Sequence, residues 1–335
     1  MLAILADDLT GALDAAAPFA GRGLKVSVAL DGPGLATALA DAPEVLAVTT
    51  ASREVTAEAA RARVAAAVAA LPPGARIFKK VDSRLKGNIA AELAAIPFRR
   101  ALVAPAIPDF GRVVEAGALV GFGVETPIPV APRLGGFAAR AEIPDCRSMA
   151  ELATALAASE ADLLVGARGL AEALAARITG RATTPVDRLP GPDALFVVGS
   201  RDPITLAQVA ALVALPGLGR IDAPNGVAVG RRESPLTLVQ LQPGAWAEVS
   251  GAEAGAALAA SVHPALTRGA RTVLLTGGAT AEAVLARMGV GHLRLRGECL
   301  PGLGVAEAAG ITFVTKSGGF GDAGTLAAVA GMVGG

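Results

Sequence analysis

The sequence has few of the residues that build metal centres. Its two cysteines, Cys146 and Cys299, lie far apart without a CxxC pairing, and His263 and His292 are the two histidines. This composition excludes a zinc-type ligand set, and we expect both thiols to be buried as apolar side chains. The sequence leaves the ligands of any metal ion unknown.

An excess of charge and a long apolar run are absent as well. The 30 basic and 30 acidic residues cancel, which argues against a nucleic-acid-binding protein. No apolar run approaches the roughly 18 residues of a membrane span, and the N-terminal MLAILADDL has no basic region before its acidic pair, unlike a secretory signal. We therefore expect a cytoplasmic protein whose partner is a small molecule, with no membrane and no nucleic acid.

The remaining composition predicts two α/β domains. A chain of 335 residues is longer than one hydrophobic core usually accommodates. Its 53% hydrophobic and 18% charged residues exclude a disordered chain. Apolar strand-like runs alternate with helix-like runs, which predicts in each domain a mostly parallel sheet with helices on both faces. The stretch TGRATTPVDRLPGPD lacks apolar periodicity, so we place the boundary between about 178 and 193 and predict domains at 1–185 and 192–335.

One ten-residue stretch, KKVDSRLKGN from Lys79 to Asn88, concentrates charge in an alanine-rich sequence. Its basic side chains suit an anion such as a carboxylate or phosphate, and Asp82 and Ser83 suit hydroxyl groups. A solvated turn is the alternative interpretation. The run follows the strand-like ARIFKKV and precedes the helix-like IAAELAAI, so it lies at the carboxyl end of a strand, where open α/β sheets bind ligands.

Other polar residues follow neighbouring strands. Asp7 and Asp8 come directly after the strand-like LAILA, with Thr10 as the predicted N-cap of the next helix and Asp14 one turn further on. Arg53 follows the strand-like EVLAVTT, and we expect it in the same crevice. Arg112, in a Gly- and Pro-containing loop or hairpin, is indistinguishable by pattern from a surface arginine.

The second half repeats an apolar strand, a turn of small residues and a helix. ALFVVGS, TVLLT and ITFVTK each lead through such a turn, and Lys316 and Ser317 lie beside the last one. Small residues let backbone N–H groups and a helix N-terminus face an anion, so the pattern favours a nucleotide phosphate site. Trp246 is expected to pack against a strand edge.

Two common phosphate motifs do not fit this half. Gly319, Gly321 and Gly324 match G-x-G-x-x-G, but only about eleven residues follow, too few for the strand and ribose-binding acid of a dinucleotide domain. The Walker A pattern is absent too. A different glycine-rich arrangement must hold the nucleotide.

Several motifs in order resemble the four-carbon acid sugar kinases. These are ADDLTGALDAA, TTASRE, KKVDSRLKGN, APAIPDFGR, DLLVGARGLAEALA, VVGSRDPITLAQ, TGGATAEAV and KSGGFGD, and they extend over nearly the whole chain. The resemblance implies phosphorylation by ATP and Mg²⁺ of a terminal hydroxyl of erythronate, threonate or a 2- or 3-oxo-tetronate. It also implies an N-terminal sugar-acid domain, a C-terminal nucleotide domain and an active site in the cleft between them. A homodimer is left open.

The resemblance assigns site residues by matching motifs. The expected catalytic residues are Asp8, Asp82 and Lys80, with Asp8 favoured as the base. The expected substrate-binding residues are Asp7, Thr10, Gly11, Asp14, Ser52, Arg53, Ser83, Arg84, Gly87 and Asn88. The expected nucleotide-binding residues are Ser200, Gly277, Gly278, Ala279, Thr280, Lys316, Ser317, Gly318 and Gly319.

Three departures from the family pattern keep alternatives open. The G-G-[DE]-T turn has Ala279 in place of its acid, and Arg84 and Lys86 replace the usual Thr and Arg of the ten-residue stretch. The chain also looks short near 120–140 and 220–250. The first alternative to a kinase is a non-catalytic or altered-substrate homologue that binds sugar acid or nucleotide. The second is an NAD(P)-dependent dehydrogenase.

Overall fold

The computed structural model describes residues 1–244 and 249–334, so Trp246 lies outside the described residues. The chain divides into two compact units, Met1–Thr183 and Thr184–Gly335. Within the described residues, no helix has both the length and the apolar character needed to cross a membrane.

The first unit is built on a parallel sheet. Its strands are, in chain order, β1 Leu2–Ala6, β2 Val26–Ala29, β3 Val45–Thr49, β4 Arg76–Lys80, β5 Ala101–Ala104, β6 Arg112–Glu115, β7 Ala118–Gly121, β8 Val124–Pro129, β9 Ala141–Glu142 and β10 Leu163–Gly166. The parallel sheet has the order β2-β3-β1-β4-β10-β5-β9. Strand β3 is buried at every position and β1 at all but its first, as expected where helices cover both faces of a sheet.

Four of the helices in this unit begin at a capping side chain. The helices are α1 Leu9–Ala20, α2 Gly32–Ala40, α3 Ala57–Ala70, α4 Ile89–Leu93, α5 Val130–Arg133, α6 Met149–Ala158 and α7 Arg168–Thr179. Asp31, Thr56 and Ser148 cap α2, α3 and α6 through their side-chain oxygens. The predicted N-cap of α1 was wrong: Asp8, not Thr10, accepts the Gly11 N–H and begins the helix.

The segment with irregular glycine and proline spacing forms a separate antiparallel sheet, β6-β7-β8. The end of β7 needs glycine at Gly121, where φ is +98° and a Cβ atom would lie 2.0 Å from the carbonyl oxygen of Gly111. This hairpin carries Arg112 at the start of β6.

The second unit has a mixed sheet in the order β13-β14-β12-β15-β18-β17-β16. The first five of these strands run parallel, and β16, β17 and β18 pair antiparallel. Phe196, Leu238, Leu274 and Val314 supply its core from successive strands. The strands are β11 Leu189–Pro190, β12 Ala194–Val198, β13 Gly219–Pro224, β14 Leu236–Gln242, β15 Thr272–Thr276, β16 His292–Leu300, β17 Leu303–Ala308, β18 Ile311–Lys316 and β19 Val333–Gly334, and the helices are α8 Pro203–Val213, α9 Gly251–Val262, α10 Gly278–Arg287 and α11 Thr325–Met332.

Strand register sets where the functional loops start. In the first unit, Ala6 pairs with Thr49 on one side and Lys80 on the other. In the second unit, Thr276 pairs with both Val198 and Lys316. The loops after each set of three adjacent strands therefore leave the sheet at the same level, at its carboxyl edge.

Candidate functional site

In the first unit, one arginine joins the acidic residues at the carboxyl ends of β1 and β4. The Nε and NH2 atoms of Arg53 donate to the two carboxylate oxygens of Asp7, each at 2.8 Å, and its NH1 donates to Asp8 Oδ2 at 2.5 Å. Asp82 Oδ2 lies 3.9 Å from Arg53 NH2. The predicted crevice residues thus meet, but the guanidinium of Arg53 already binds two carboxylates of the protein.

The electrostatic environment keeps Asp7 charged. Burial acts to raise the pKa of Asp7, but the Arg53 hydrogen bonds and the positive charges of Lys79, Arg53 and Lys80 outweigh it and lower this pKa. The same partnership raises the pKa of Arg53 against the effect of its own burial. Asp7 is only 2% exposed, and its two hydrogen bonds with Arg53 hold that guanidinium in place.

Asp8 is more accessible and is held in one orientation. Its Oδ1 accepts the Gly11 N–H at 2.7 Å, and its Oδ2 accepts the Thr10 hydroxyl at 2.9 Å. A Cβ atom on Gly11 would lie 2.5 Å from Asp8 Oδ1 and 3.2 Å from Lys80 Nζ, so a larger residue at this position would displace one or both groups. Lys80 is buried and donates to the Val81 carbonyl.

The two lysines that begin the ten-residue stretch have different surroundings. Lys79, which we expected to hold an anionic ligand, is fully buried and lies 2.9 Å from Glu92 Oε2. Its Nζ also donates to the carbonyls of Leu5 and Lys80. Ser52 is buried too, and its hydroxyl donates to Glu92 Oε1. These buried contacts therefore connect β4, the loop after β3 and helix α4.

The rest of the ten-residue stretch forms a turn. Asp82 Oδ1 accepts the Arg84 N–H at 2.9 Å, and the side chains of Arg84 and Lys86 are exposed. Asn88 donates from Nδ2 to the carbonyls of Ser52 and Val55, which ties this turn to the loop after β3.

Gly87 lets the turn approach the acidic cluster. Its φ is +88°, and a Cβ atom there would lie 3.0 Å from Asp7 Oδ2. The turn is therefore ordered by contacts with the site residues, rather than a simple solvated connection.

Three further contacts near this cluster were not predicted. The first is that of Glu92, inside the helix-like IAAELAAI, with Lys79. Asp14 Oδ1 lies 3.1 Å from NH1 of Arg168, the first residue of α7. Arg112 NH1 donates to Ser83 Oγ at 2.5 Å. An acid inside the apolar run IAAELAAI and a lysine inside a buried strand were the available signals for Glu92.

In the second unit, the three small-residue turns come together. A Cβ atom on Gly199 would lie 1.9 Å from Thr280 Oγ1, and one on Gly318 would lie 2.6 Å from Ser200 Oγ. Gly277, with φ at +88°, would place its Cβ 3.7 Å from that of Ser200. The turns after β12, β15 and β18 therefore pack glycine backbone against the side chains of Thr280 and Ser200, which a larger residue at these glycines would prevent.

Lys316 lies beneath the last turn. It is 1% exposed, and its Nζ donates to the carbonyls of Ser317 and Gly318, both at 2.9 Å, and lies 3.3 Å from Thr205 Oγ1. Burial lowers the pKa of Lys316 to about 8, although the charge of Asp202 acts to raise it. The ammonium group therefore holds the turn from inside, and a direct contact with phosphate stays a prediction.

Helix α8 fixes the same turn from the side. The Thr205 hydroxyl donates to the Gly318 carbonyl at 2.7 Å, and Gln208 Nε2 donates to the Phe320 carbonyl at 2.9 Å. These bonds direct the Gly318 and Phe320 carbonyls toward α8, and phosphate binding by backbone N–H groups of the turn stays a prediction.

The turn after β15 lacks a charged group. Ala279, which replaces the family's acid, is exposed in the first turn of α10. Among the residues that the structure describes, no group of three or more His, Cys, Asp or Glu side chains is arranged to hold a metal ion.

The fold and these two clusters define a protein with a sugar-binding and a nucleotide-binding domain, and sequence comparison assigns both. Residues 2–130 match the family model described as "Sugar-binding N-terminal domain", and residues 227–326 match "Nucleotide-binding C-terminal domain". The chain belongs to the four-carbon acid sugar kinase family, as its motifs predicted.

Full-length relatives support this assignment. A D-threonate kinase of Cupriavidus necator is 30% identical over 403 aligned positions, which include 96% of this chain and 95% of the relative. A 3-oxo-tetronate kinase of Methylobacterium radiotolerans is 28% identical, with 96% of each chain covered. A structure described as a putative tRNA synthase from Salmonella typhimurium has the same fold, with a TM-score of 0.77, 18% identity and 98% of each chain covered.

Proposed function

We propose that this protein is an ATP-dependent kinase that phosphorylates a terminal hydroxyl of a four-carbon sugar acid. The observation that carries the proposal is the pair of built sites, the Asp7–Asp8–Arg53 cluster with Lys80 in the first unit and the three packed glycine turns in the second. The names of the full-length relatives, D-threonate kinase and 3-oxo-tetronate kinase, support erythronate, threonate or an oxo-tetronate as the acceptor.

The roles of the first cluster follow from what phosphoryl transfer requires. Positioning and charge neutralisation dominate the catalysis of this reaction. Asp8, fixed by Thr10, Gly11 and Arg53, orients the attacking hydroxyl and accepts its proton. Lys80, next to Asp8, neutralises charge at the reacting oxygens. Asp82 is the second candidate for the base, because its Oδ2 has only the distant Arg53 contact.

The second cluster would hold the nucleotide. Backbone N–H groups of the Gly277–Thr280 and Ser317–Gly319 turns suit phosphate oxygens, as does the Ser200 hydroxyl. Mg²⁺ on ATP is usually bound by the phosphates and only one or two carboxylates. A site with few acidic side chains near these turns therefore suits the ion. The ion would neutralise charge on the transferred group.

A coupled ADP-release assay tests the proposal. Wild-type protein with Mg·ATP is assayed against D- and L-threonate, D- and L-erythronate and the oxo-tetronates, and we expect turnover with at least one. Absence of turnover with all of them, together with thermal stabilisation by ADP, would favour the non-catalytic or altered-substrate alternative that the exposed Ala279 keeps open.

Two matched variants assign the base. We expect Asp8→Asn to lower kcat by about 10²- to 10⁴-fold, the usual contribution of a general base, with a smaller effect on the KM for the acid. Asp82→Asn should lower kcat less. The reverse order would transfer the role to Asp82. A cytoplasmic location and a homodimer stay predictions, and light scattering of the purified protein tests the latter.

A further inference from the structure

We propose that Arg112, with Arg84 beside it, binds the carboxylate of the acceptor, an inference that rests on the proposed sugar-acid kinase function. Arg112 begins strand β6 and is half-buried. Its Nε and NH2 donate to the Phe122 carbonyl at 3.0 and 2.9 Å, and its NH1 donates to Ser83 Oγ. These bonds aim the guanidinium at the ten-residue stretch.

The hydrogen bonds of Arg112 leave a free fork of donors. A guanidinium has five N–H groups, and the three bonds to Phe122 and Ser83 use three of them. One N–H remains on each terminal nitrogen, the pair that binds a carboxylate bidentately. In residues 1–244 and 249–334, no carboxylate of the protein lies within 4.0 Å of Arg112 to take this fork.

The other basic residues of the crevice are already engaged. Arg53 binds Asp7 through a complete fork and Asp8 through its remaining terminal nitrogen. Lys80 is buried, its Nζ donates to the Val81 carbonyl, and the proposed function uses it at the reacting oxygens. The bonds of Arg53, one of the expected substrate-binding residues, thus go to two carboxylates that balance its charge. The bonds of Arg112 go to a neutral carbonyl and a neutral hydroxyl, so its charge is left to attract an anion.

The positive charges of Arg84 and Arg112 are close enough to repel each other. Burial lowers the pKa of Arg112, the charge of Arg84 lowers it further, and Asp82 offsets this only in part. Asp82 already has Arg53 as a neighbour. A bound anion between Arg84 and Arg112 would relieve their repulsion. The adjacent Ser83 Oγ and Asp82 can then bond the hydroxyls of the same molecule.

A phosphate group of ATP has chemistry similar to that of a carboxylate, so the test must separate the two. Steady-state kinetics are measured for wild type, Arg112→Gln, Arg112→Lys and Arg84→Gln, varying the acid and ATP in turn. Arg61→Gln, on the exposed face of α3, is the matched control. Calorimetric titration with D-threonate gives binding without turnover.

We expect Arg112→Gln to raise the KM for the acid by about 10- to 100-fold, the usual worth of a charge-assisted bidentate contact, with the KM for ATP unchanged. Arg112→Lys should recover part of this loss because the charge remains and the fork does not. Arg84→Gln should raise the KM for the acid a few-fold, and Arg61→Gln should match wild type.

Three results would overturn the inference. The first is an active wild type with an unchanged KM for the acid in Arg112→Gln. The second is a rise confined to the KM for ATP, which would place a phosphate there. The third is a wild type that neither binds nor phosphorylates any tetronate, which would end the proposed function and this inference together.

Discussion

The buried ion pair under the sugar-acid cluster gives the sharpest test of the structure. Lys79 and Glu92 are 0% and 1% exposed, and their charged atoms are 2.9 Å apart. Glu92→Leu would leave the Lys79 ammonium with only the carbonyls of Leu5 and Lys80 as partners, and would also remove the acceptor of the Ser52 hydroxyl. An unpaired buried charge costs about 3–5 kcal/mol of unfolding free energy.

The second charge can be removed to test this reasoning. In Lys79→Met/Glu92→Leu neither charge of the pair remains, and replacing a buried pair by apolar side chains is often neutral. We therefore expect the double variant to be more stable than Glu92→Leu alone. Urea unfolding followed by far-UV circular dichroism measures both, and Glu115→Gln, which breaks the exposed pair with Arg147, is the control and should cost less than about 1 kcal/mol.

Two results would refute the ion pair. One is a loss below about 1 kcal/mol in Glu92→Leu, which would mean that Lys79 finds water or another partner. The other, with the Lys79→Met single variant measured in the same way, is a double variant whose loss equals the sum of the two single losses, because residues in direct contact should show coupling.

Two further predictions concern glycine and lysine. Gly11→Ala should lower kcat about 10-fold or more by displacing the Asp8 carboxylate, and the loss of this N-cap of α1 works against the helix preference of alanine. Gly255→Ala, in open space within α9, should leave kcat unchanged. The pKa of Lys316 is about 8 in the folded state and 10.5 when unfolded. Between these values the unfolded chain binds more protons, so stability should rise from about pH 8 to 10. Urea titrations should show this rise in wild type and Lys25→Met but not in Lys316→Met.

Each prediction has a contrary result. Full activity in Gly11→Ala would mean that the carboxylate of Asp8 can move without consequence. The same pH dependence in Lys316→Met and wild type would mean that the Lys316 ammonium is hydrated in the folded protein.

The order of elements could be predicted from the sequence because local patterns carry it. Apolar runs such as LAILA and TVLLT became the buried strands β1 and β15, and the polar residues after them lie at the carboxyl edge of the sheets. The boundaries were less accurate. The helix expected over IAAELAAI ends at Leu93, and the N-cap of α1 moved by two residues to Asp8.

The partners of the charged residues could not be predicted in the same way. Ser52 and Glu92 are 40 positions apart, and Asp14 and Arg168 are 154 apart, so no local pattern relates them. A charged side chain also has the same letter whether it is buried or exposed. Lys79 had one signal, since a lysine inside a strand covered on both faces needs a buried partner.

The shared row of Val198, Thr276 and Lys316 has a consequence for how chain length can vary. The three glycine turns start from adjacent strands, so their relative positions are inherited from backbone pairing and not from the connections between strands. Segments at the opposite edge can lengthen or shorten without moving the turns. This agrees with the comparison above, in which this chain of 335 residues is aligned to its relative over 403 positions. A single residue inserted into β15, by contrast, would shift one turn past its neighbours.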